Sequence, residues 1–178
     1  VRRIAELWVR LMRDVLGYDR FAACGGDWGA MVTAELGSTH AEHLIGCYLT
    51  MATFPGINMA AVAKLPFADD EAWMAARLKE ASRLTRSHST VHIIEPQTLA
   101  HALVDSPVGT AAWLWQRRRT WSDCDGDVLS VFDRDFLCTT ASIYWLTRSI
   151  GSSLRLYHEH FNKRWKPVHD RTPVVEAP

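Results

Sequence analysis

The chain has 178 residues, of which 48% are hydrophobic, and its 20 basic side chains are balanced by 20 acidic ones. This length and composition suffice for a packed core and exclude a disordered chain. The balanced charge gives no indication of binding to nucleic acid or to an anionic membrane.

Neither a membrane anchor nor a metal site is predicted. No apolar run is long enough to span a bilayer, and no signal peptide is recognisable. Because the four cysteines (Cys24, Cys47, Cys124 and Cys138) show no C-x-x-C spacing, neither zinc nor redox chemistry is indicated. We expect a cytoplasmic protein with reduced thiols, and the sequence carries no signal for an oligomeric state.

The start of the chain alternates between helix and strand. Apolar side chains recur every three or four positions over residues 3–16, which predicts a half-buried helix that stops at Gly17. A short apolar strand follows at residues 21–24, then a helix over residues 30–36 and a second buried strand over residues 44–49. Strand, helix and strand in this order predict a parallel pair with a right-handed crossover.

A glycine-flanked turn, Cys24-Gly25-Gly26-Asp27-Trp28-Gly29, joins the first strand to the following helix. This context is typical of a nucleophile elbow, whose tightness would require glycine at Gly25 and Gly29. Asp27 stands at the tip, where its carboxylate can attack an electrophilic carbon and form an ester. The backbone N–H of Trp28 would then face the oxyanion during cleavage of that ester. An ordinary Gly–Asp turn is the alternative interpretation.

The chain changes character after Phe54-Pro55-Gly56, and no convincing strand follows before about residue 165. Helix caps and proline positions instead predict a block of five helices. These run from Asp69 or Asp70 to about residue 86, over residues 96–103, over residues 107–121, from Asp133 to residue 147, and over residues 149–161.

Two polar clusters in this block are interpreted as structural. Arg117-Arg118-Arg119 is predicted to form a solvated helix face, because no other basic run supports a nucleic-acid interface. Residues 123–127 imitate the start of a calcium loop. There the glycine comes too early, and Arg134 occupies the place of the bidentate glutamate, so we predict a helix-capping loop.

The turn Gly25-Gly26-Asp27-Trp28-Gly29 resembles the elbow of epoxide hydrolases of the α/β-hydrolase superfamily, the microsomal type in particular. Further blocks continue the resemblance in the family's order: Gly17-Tyr18-Asp19, Asp105-Ser106-Pro107-Val108-Gly109, Ala111-Ala112-Trp113, Trp121-Ser122-Asp123, Tyr144-Trp145-Leu146-Thr147, Ser152-Ser153, Arg155 and Tyr157. The resemblance implies an α/β fold, with an α/β-hydrolase core segment over residues 1–53, a helical cap over residues 54–165 and a return linker over residues 166–178.

The resemblance also implies a reaction, the hydrolysis of an epoxide to a vicinal diol through an ester on Asp27, without metal or organic cofactor. Tyr157 corresponds to one of two cap residues that hold the ring oxygen, and a phenol is a neutral donor at pH 7. Counting back from Pro96-Gln97-Thr98 places His88 where the second cap residue, usually Tyr, would stand. Imidazole can donate an N–H to the same oxygen. His92 is the alternative occupant if the gap differs.

Some expected family segments are not recognisable in this sequence. We find neither the His-Gly-Trp-Pro segment that completes the oxyanion hole, nor the charge-relay acid, nor the Gly-Gly-His that carries the catalytic base. His158, His160 and His169 stand in other contexts, and none is assigned as that base. The expectation is therefore an internal segment of a longer hydrolase, covering the elbow and the cap.

Two alternative functions stay open at this point. A dehalogenase also uses an Asp elbow, and a non-catalytic fragment would only bind an apolar ligand or a partner. A small apolar epoxide is the expected substrate, because aromatic side chains suit apolar ligands. Four tryptophans of the helical block indicate such a ligand, although helix packing explains them equally well. They are Trp113, Trp115, Trp121 and Trp145.

Overall fold

The computed structural model describes the backbone of residues 1–62 and 64–178, and their side chains except those of residues 59, 60, 81 and 83–85. The chain divides into two compact units. The first unit comprises Val1–Leu65 and Arg164–Pro178, and the second unit comprises Pro66–Lys163. This division does not decide the predicted domain boundaries after residues 53 and 165, which stay a proposal.

Ten helices and strands organise the described residues. In chain order they are α1 (Arg2–Arg10), β1 (Phe21–Gly25), α2 (Trp28–Thr39), β2 (Leu44–Leu49), α3 (Met59–Val62), α4 (Ala72–Ile94), α5 (Pro96–Asp105), α6 (Pro107–Trp121), α7 (Arg134–Leu146) and α8 (Ile150–Phe161). A π-helical turn extends α1 over Leu11–Val15, and short 3-10 turns occupy Ala41–His43, Asp69–Glu71 and Val128–Ser130. Within the described ranges no helix has both the length and the apolar character needed to cross a bilayer.

The first unit is built on the predicted parallel strand pair, which is confirmed. β1 and β2 run parallel, with Cys24 opposite Tyr48 and Gly25 opposite Leu49. α2 provides the crossover, and its apolar side packs with α1 and both strands into one core. The buried members of this core are Ala5, Val9, Phe21, Val32, Leu36 and Leu44. In the part of the chain that the structure describes, the sheet has these two strands.

The end of the chain returns to the sheet, as predicted. Residues 164–178 belong to the first unit. The backbone N–H of Cys47 in β2 donates to the carbonyl of Pro178 at 2.6 Å, and that of Glu176 donates to Gly37 in α2 at 2.9 Å. The return segment thus covers the end of α2 and one side of β2.

The second unit consists of the predicted helices, and its described residues contain no strand. A small apolar core joins α5 and α8 through Ala100, Leu103, Ile150 and Leu154. The predicted cap Asp133 is confirmed, whereas the predicted cap at Asp69 or Asp70 is wrong, because α4 begins at Ala72 after Glu71 without a side-chain cap. Hydrogen bonds satisfy free N–H groups of the first turn in α6 and α7. Ser106 accepts from the N–H of Gly109 at 2.9 Å, and Asp133 accepts from Phe136 at 2.7 Å.

Helix α4 is longer than predicted. It ends at Ile94 rather than near residue 86. Within the added turns, the hydroxyls of Ser89 and Thr90 donate to the Arg86 carbonyl at 2.9 and 3.3 Å, a back-bond that the helix tolerates. Helix α4 therefore carries both His88 and His92, which lie one turn apart on the same face.

Candidate functional site

Asp27 occupies a strained turn between β1 and α2. Its φ of 49° and ψ of −122° lie in a region that residues with a Cβ rarely adopt. Holding such a residue costs about 1–3 kcal/mol. An ordinary Gly–Asp turn would place the positive φ on a glycine, yet here Gly26 is adjacent and Asp27 carries the strain. A strained strand-to-helix turn that presents an exposed side chain is the geometry of a nucleophile elbow.

Close approaches explain two glycines of this turn, to backbone at Gly25 and to a side-chain hydroxyl at Gly26. A Cβ added at Gly25 would lie 2.1 Å from the carbonyl oxygen of Gly29, and one at Gly26 would lie 2.5 Å from Oγ1 of Thr50. The expectation that tightness also requires glycine at Gly29 is wrong. Apart from its own helix and chain neighbours, no described atom lies within 4 Å of a Cβ there. The turn excludes side chains at the end of β1 and tolerates one in α2.

Helix α2, which begins directly after Asp27, is anchored by a buried carboxylate. Glu35 is 0% exposed. Its Oε1 accepts from Nε of Arg2 at 2.7 Å, and its Oε2 accepts from Nε1 of Trp165 at 2.5 Å. Both oxygens of the buried acid are therefore satisfied, as a carboxylate in this position requires. Sequence reasoning missed Glu35, because its partners lie 33 and 130 positions away.

The positive end of the α2 dipole gives the Asp27 turn a favourable electrostatic environment. The first N–H groups of any helix have no intrahelical partner and carry partial positive charge. Trp28 and Gly29 begin α2, so their N–H groups belong to this end. Negative charge on Asp27, or on an oxyanion beside it, is stabilised at such a helix end.

In the second unit the structure brings Tyr157 and His88 together. The hydroxyl of Tyr157 on α8 lies 3.3 Å from Nε2 of His88 on α4. The two rings meet edge to face, with centroids 5.6 Å apart, and Trp121 contacts the His88 ring at 4.9 Å. Both side chains are half-buried. Two residues 69 positions apart thus present their polar atoms at one spot.

His92 belongs to the same cluster, but its ring accepts a hydrogen bond from a tryptophan. The indole Nε1 of Trp113 donates to Nε2 of His92 at 3.2 Å. Because Nε2 accepts, the proton of the neutral imidazole must stand on Nδ1. Burial, the neighbouring His88 and the Arg117 guanidinium lower the pKa of His92 from 6.5 to about 4. His92 is therefore a neutral, buried ring at pH 7 and no solvent-facing loop residue.

The predicted solvated face at residues 117–119 is wrong for Arg117. Its guanidinium carbon lies 4.6 Å above the ring of Trp113, one turn earlier on α6. Its Nε and Nη1 are buried, and burial lowers the pKa of this guanidinium. Arg118, in contrast, is exposed and contacts Phe132 and Phe136 with its guanidinium. Arg117 packs inward because a planar cation stacks well on an indole.

The structure groups the predicted site residues by unit: Asp27 and Trp28 in the first, His88, His92 and Tyr157 in the second. The sequence missed Trp113 as a partner of His92 and Arg117 as a partner of Trp113. The spacing of four between Trp113 and Arg117 is a local signal for their contact, whereas no local signal indicates the pairing of Trp113 with His92. Among the described residues, no three His, Cys, Asp or Glu side chains form a group that could hold a metal.

Comparisons with known proteins first define the class of fold. No protein-family model matches the chain. The crystal structure of juvenile hormone epoxide hydrolase from the silkworm Bombyx mori superposes with a TM-score of 0.77 at 25% identity, over 92% of this chain and 42% of that one. The predicted class, an α/β-hydrolase fold segment with a helical cap, is confirmed by this likeness.

Sequence relatives then define the family. A protein of Stigmatella aurantiaca whose name proposes an epoxide hydrolase is 37% identical over 89% of this chain, and epoxide hydrolase 1 of Oryctolagus cuniculus is 31% identical over 96%. The chain is a homologue of the epoxide hydrolases of the α/β-hydrolase superfamily. It spans 35% and 41% of the length of these two relatives.

Proposed function

We propose that the chain carries the nucleophile and the oxygen-holding residues of an enzyme that hydrolyses an apolar epoxide to a vicinal diol. The observation that carries the proposal is the strained turn at Asp27. A protein does not retain about 1–3 kcal/mol of strain in a residue that directly follows a glycine without a compensating use. Presenting a carboxylate at the start of a helix is such a use. The epoxide hydrolase names of the relatives support this reaction.

In the first step one Asp27 oxygen attacks a ring carbon of the epoxide. A carbon–oxygen ester bond forms, the ring carbon–oxygen bond breaks, and its electron pair stays on the ring oxygen. That oxygen takes a proton from Tyr157, while His88 donates a second hydrogen bond to it. Two donors 3.3 Å apart can reach one common acceptor at ordinary hydrogen-bond distances, which supports a joint role.

In the second step water gives up a proton to a base and attacks the carbonyl carbon of the ester. The diol leaves with a proton when the ester carbon–oxygen bond breaks and the Asp27 carboxylate re-forms. Between attack and departure, negative charge develops on the carbonyl oxygen. The N–H of Trp28, at the start of α2, is proposed to donate to it, as oxyanion-hole donors do. We assign the base for this step to no residue of this chain.

The geometry favours His88 over His92 as the partner of Tyr157. Nε2 of His88 faces the phenol oxygen, whereas Nε2 of His92 accepts from Trp113. The remaining nitrogen of His92, Nδ1, is buried and has no hydrogen-bond partner among the described residues. A substrate oxygen could reach that nitrogen only after the cluster moved.

The deciding experiment is a single turnover of styrene oxide by the full-length gene product in water enriched with oxygen-18. If the ester forms on Asp27, the label enters the Asp27 carboxylate and the first diol molecule carries none. A peptide digest and mass spectrometry locate the label. Label in the first diol would mean that water attacks the epoxide directly, and the proposed ester would be wrong.

The same protein preparation also tests the two alternative functions, a dehalogenase and a fragment that only binds. Chloride released from a chloroalkane without diol from styrene oxide would identify a dehalogenase. No product and no adduct from either substrate would favour a fragment that only binds. Asp19→Asn, just before β1 and outside the turn, is the matched control variant and should retain the parent rate and labelling pattern.

A further inference from the structure

A ring cluster of the second unit consists of His88, His92, Trp113 and Tyr157. Two of these residues are proposed to hold the ring oxygen, and the other two make contacts within the cluster. The His92 ring contacts the Tyr157 ring at 4.7 Å and the His88 ring at 5.3 Å, in both cases edge to face. It contacts the Trp113 ring at 5.7 Å and accepts its indole proton. His92 is thus the one residue of the four that contacts the other three.

We propose that Trp113 and His92 act as positioning residues for the Tyr157–His88 pair. The indole N–H fixes the rotation and the tautomer of the His92 ring. That ring then supports Tyr157 and His88 from one side and keeps their polar atoms 3.3 Å apart. This inference rests on the proposed function, because it assigns a purpose to the pair that holds the ring oxygen.

Burial explains why a ring held in this way is rigid. His92 is 6% exposed, so its ring has little room to turn. Rotation would break the hydrogen bond to Trp113 and leave the buried indole N–H without its acceptor, which is unfavourable. The T-shaped contacts with Tyr157 and His88 would change at the same time. The rotation that serves the pair is therefore also the one that keeps the hydrogen bond from Trp113 to Nε2 of His92.

The charges around His92 favour the same neutral ring. The groups that face it are His88 on its own helix, Arg117 on α6 and Tyr157 on α8. Arg117 already places a cation over the other side of Trp113. A proton on Nε2 would remove the acceptor of the indole N–H and add a second positive charge. A neutral His92 therefore avoids a second positive charge near Arg117.

The test removes the indole N–H and keeps an aromatic ring at position 113. Trp113→Phe in the full-length gene product should leave His92 without its donor, and Trp115→Phe is the matched control. Trp115 lies on the same helix and donates instead to the carbonyl of Leu137 at 2.9 Å. Pre-steady-state kinetics with styrene oxide separate ester formation from ester hydrolysis. Misplacing a reacting group by about 1 Å can cost 10²-fold, so we expect ester formation to slow 10- to 100-fold in Trp113→Phe. Ester hydrolysis and Trp115→Phe should stay at the parent rate.

Nitrogen-15 NMR of the His92 ring gives a readout that needs no activity. The parent protein should show His92 neutral at pH 6, with the proton on Nδ1. Trp113→Phe should shift that proton toward Nε2 and raise the pKa of His92. A parent spectrum with the proton on Nε2 would overturn the assigned hydrogen bond. The expected spectral change with parent-like ester formation would overturn the positioning role.

Two variants of His92 keep the test decisive if Trp113→Phe does not fold. His92→Gln retains an acceptor for the indole near the position of Nε2, and His92→Leu does not. We expect His92→Gln to form the ester at least fivefold faster than His92→Leu, and equal rates would contradict the proposal. If the parent protein forms no ester, the proposed function fails, and the NMR experiment still decides the Trp113–His92 contact.

Discussion

The two units hold their functional residues by different means. In the first unit the backbone holds Asp27: its strained φ, the glycines before it and the start of α2 define where the carboxylate lies. In the second unit side chains hold Tyr157 and His88, through contacts with His92, Trp121 and one another. A backbone-defined site needs particular small residues in one short segment. A site defined by side chains needs a set of rings from several helices.

This difference predicts how each site fails when it is altered. The Asp27 turn should lose its chemistry when the single reacting group is changed, and its geometry should survive because the backbone provides it. The ring cluster should lose rate in steps, because each ring contributes part of the geometry. The following experiments test that contrast from the largest expected effect to the smallest.

Asp27→Asn should reduce diol formation from styrene oxide to the assay background in freshly prepared protein. An amide is too weak a nucleophile to open the ring, while asparagine tolerates a positive φ and keeps the turn. Gas chromatography of the diol measures the rate, and circular dichroism checks the fold. Parent-like turnover in the fresh variant would remove Asp27 from the mechanism.

Tyr157→Phe should slow ester formation by about 10²- to 10⁴-fold, the usual contribution of a positioned proton donor. Ester hydrolysis should change little, because protonation of the ring oxygen belongs to the first step. His88→Phe should show the same pattern with a smaller loss. Rapid-quench mass spectrometry follows the ester in single turnovers. Tyr144→Phe, which alters a tyrosine packed against the α5–α8 core, is the control. Equal slowing of both steps would indicate a general loss of structure.

Lowering the pH should destabilise the protein through His92. The folded state holds the pKa of His92 at about 4, below its ordinary 6.5, so the unfolded chain binds the proton more readily. The stability that the neutral His92 contributes is fully present above pH 6.5 and declines as the pH falls. The decline levels off below about pH 4. Urea unfolding at pH 7.5 and pH 5 should differ by about 2 kcal/mol from this source.

Two variants isolate that contribution. His92→Phe cannot bind the proton, so its loss of stability between pH 7.5 and pH 5 should be smaller than that of the parent by about the same 2 kcal/mol. His101→Phe changes an exposed histidine on α5 and should follow the parent. An identical pH dependence in the His92→Phe variant and the parent would contradict the assigned shift.

Glu35→Ala should lower the free energy of unfolding by about 2 kcal/mol, chiefly because the Trp165 N–H loses its acceptor. Arg2 adds little, since its side chain is 50% exposed and water can solvate the charge. Urea unfolding measures the loss, and hydrogen exchange in α2 should rise with it. Glu6→Ala, which breaks an exposed ion pair with Arg3 on α1, should change stability far less.

Ser106→Ala should cost about 1 kcal/mol, the usual loss for an N-cap side chain. The N–H of Gly109 loses its acceptor at the start of α6. Ser122→Ala at the opposite end of the same helix is the matched control. If only Ser106→Ala lowers the free energy of unfolding, the hydrogen bond of the cap stabilises α6. An equal loss in Ser122→Ala would contradict this.

The sequence by itself determined the features that depend on neighbouring residues. The glycines around Asp27 predicted a tight strand-to-helix turn, because only a residue without a Cβ fits 2.1 Å from a carbonyl oxygen. Apolar periodicity and caps predicted the strands and most helix starts. The sequence analysis ended α4 near residue 86, because serine and threonine have no strong local preference for helix, whereas the helix continues to Ile94.

The tertiary structure decided which distant side chains meet. Nothing in the local sequence shows that Glu35 pairs with Trp165, or that the Trp113 indole donates to His92. Either pairing depends on how helices pack, and packing is determined by the whole core rather than by one segment. The sequence offered His88 as the candidate and His92 as the alternative if the gap differed. Only the rings from α6 and α8 make one a partner of Tyr157 and the other a partner of Trp113.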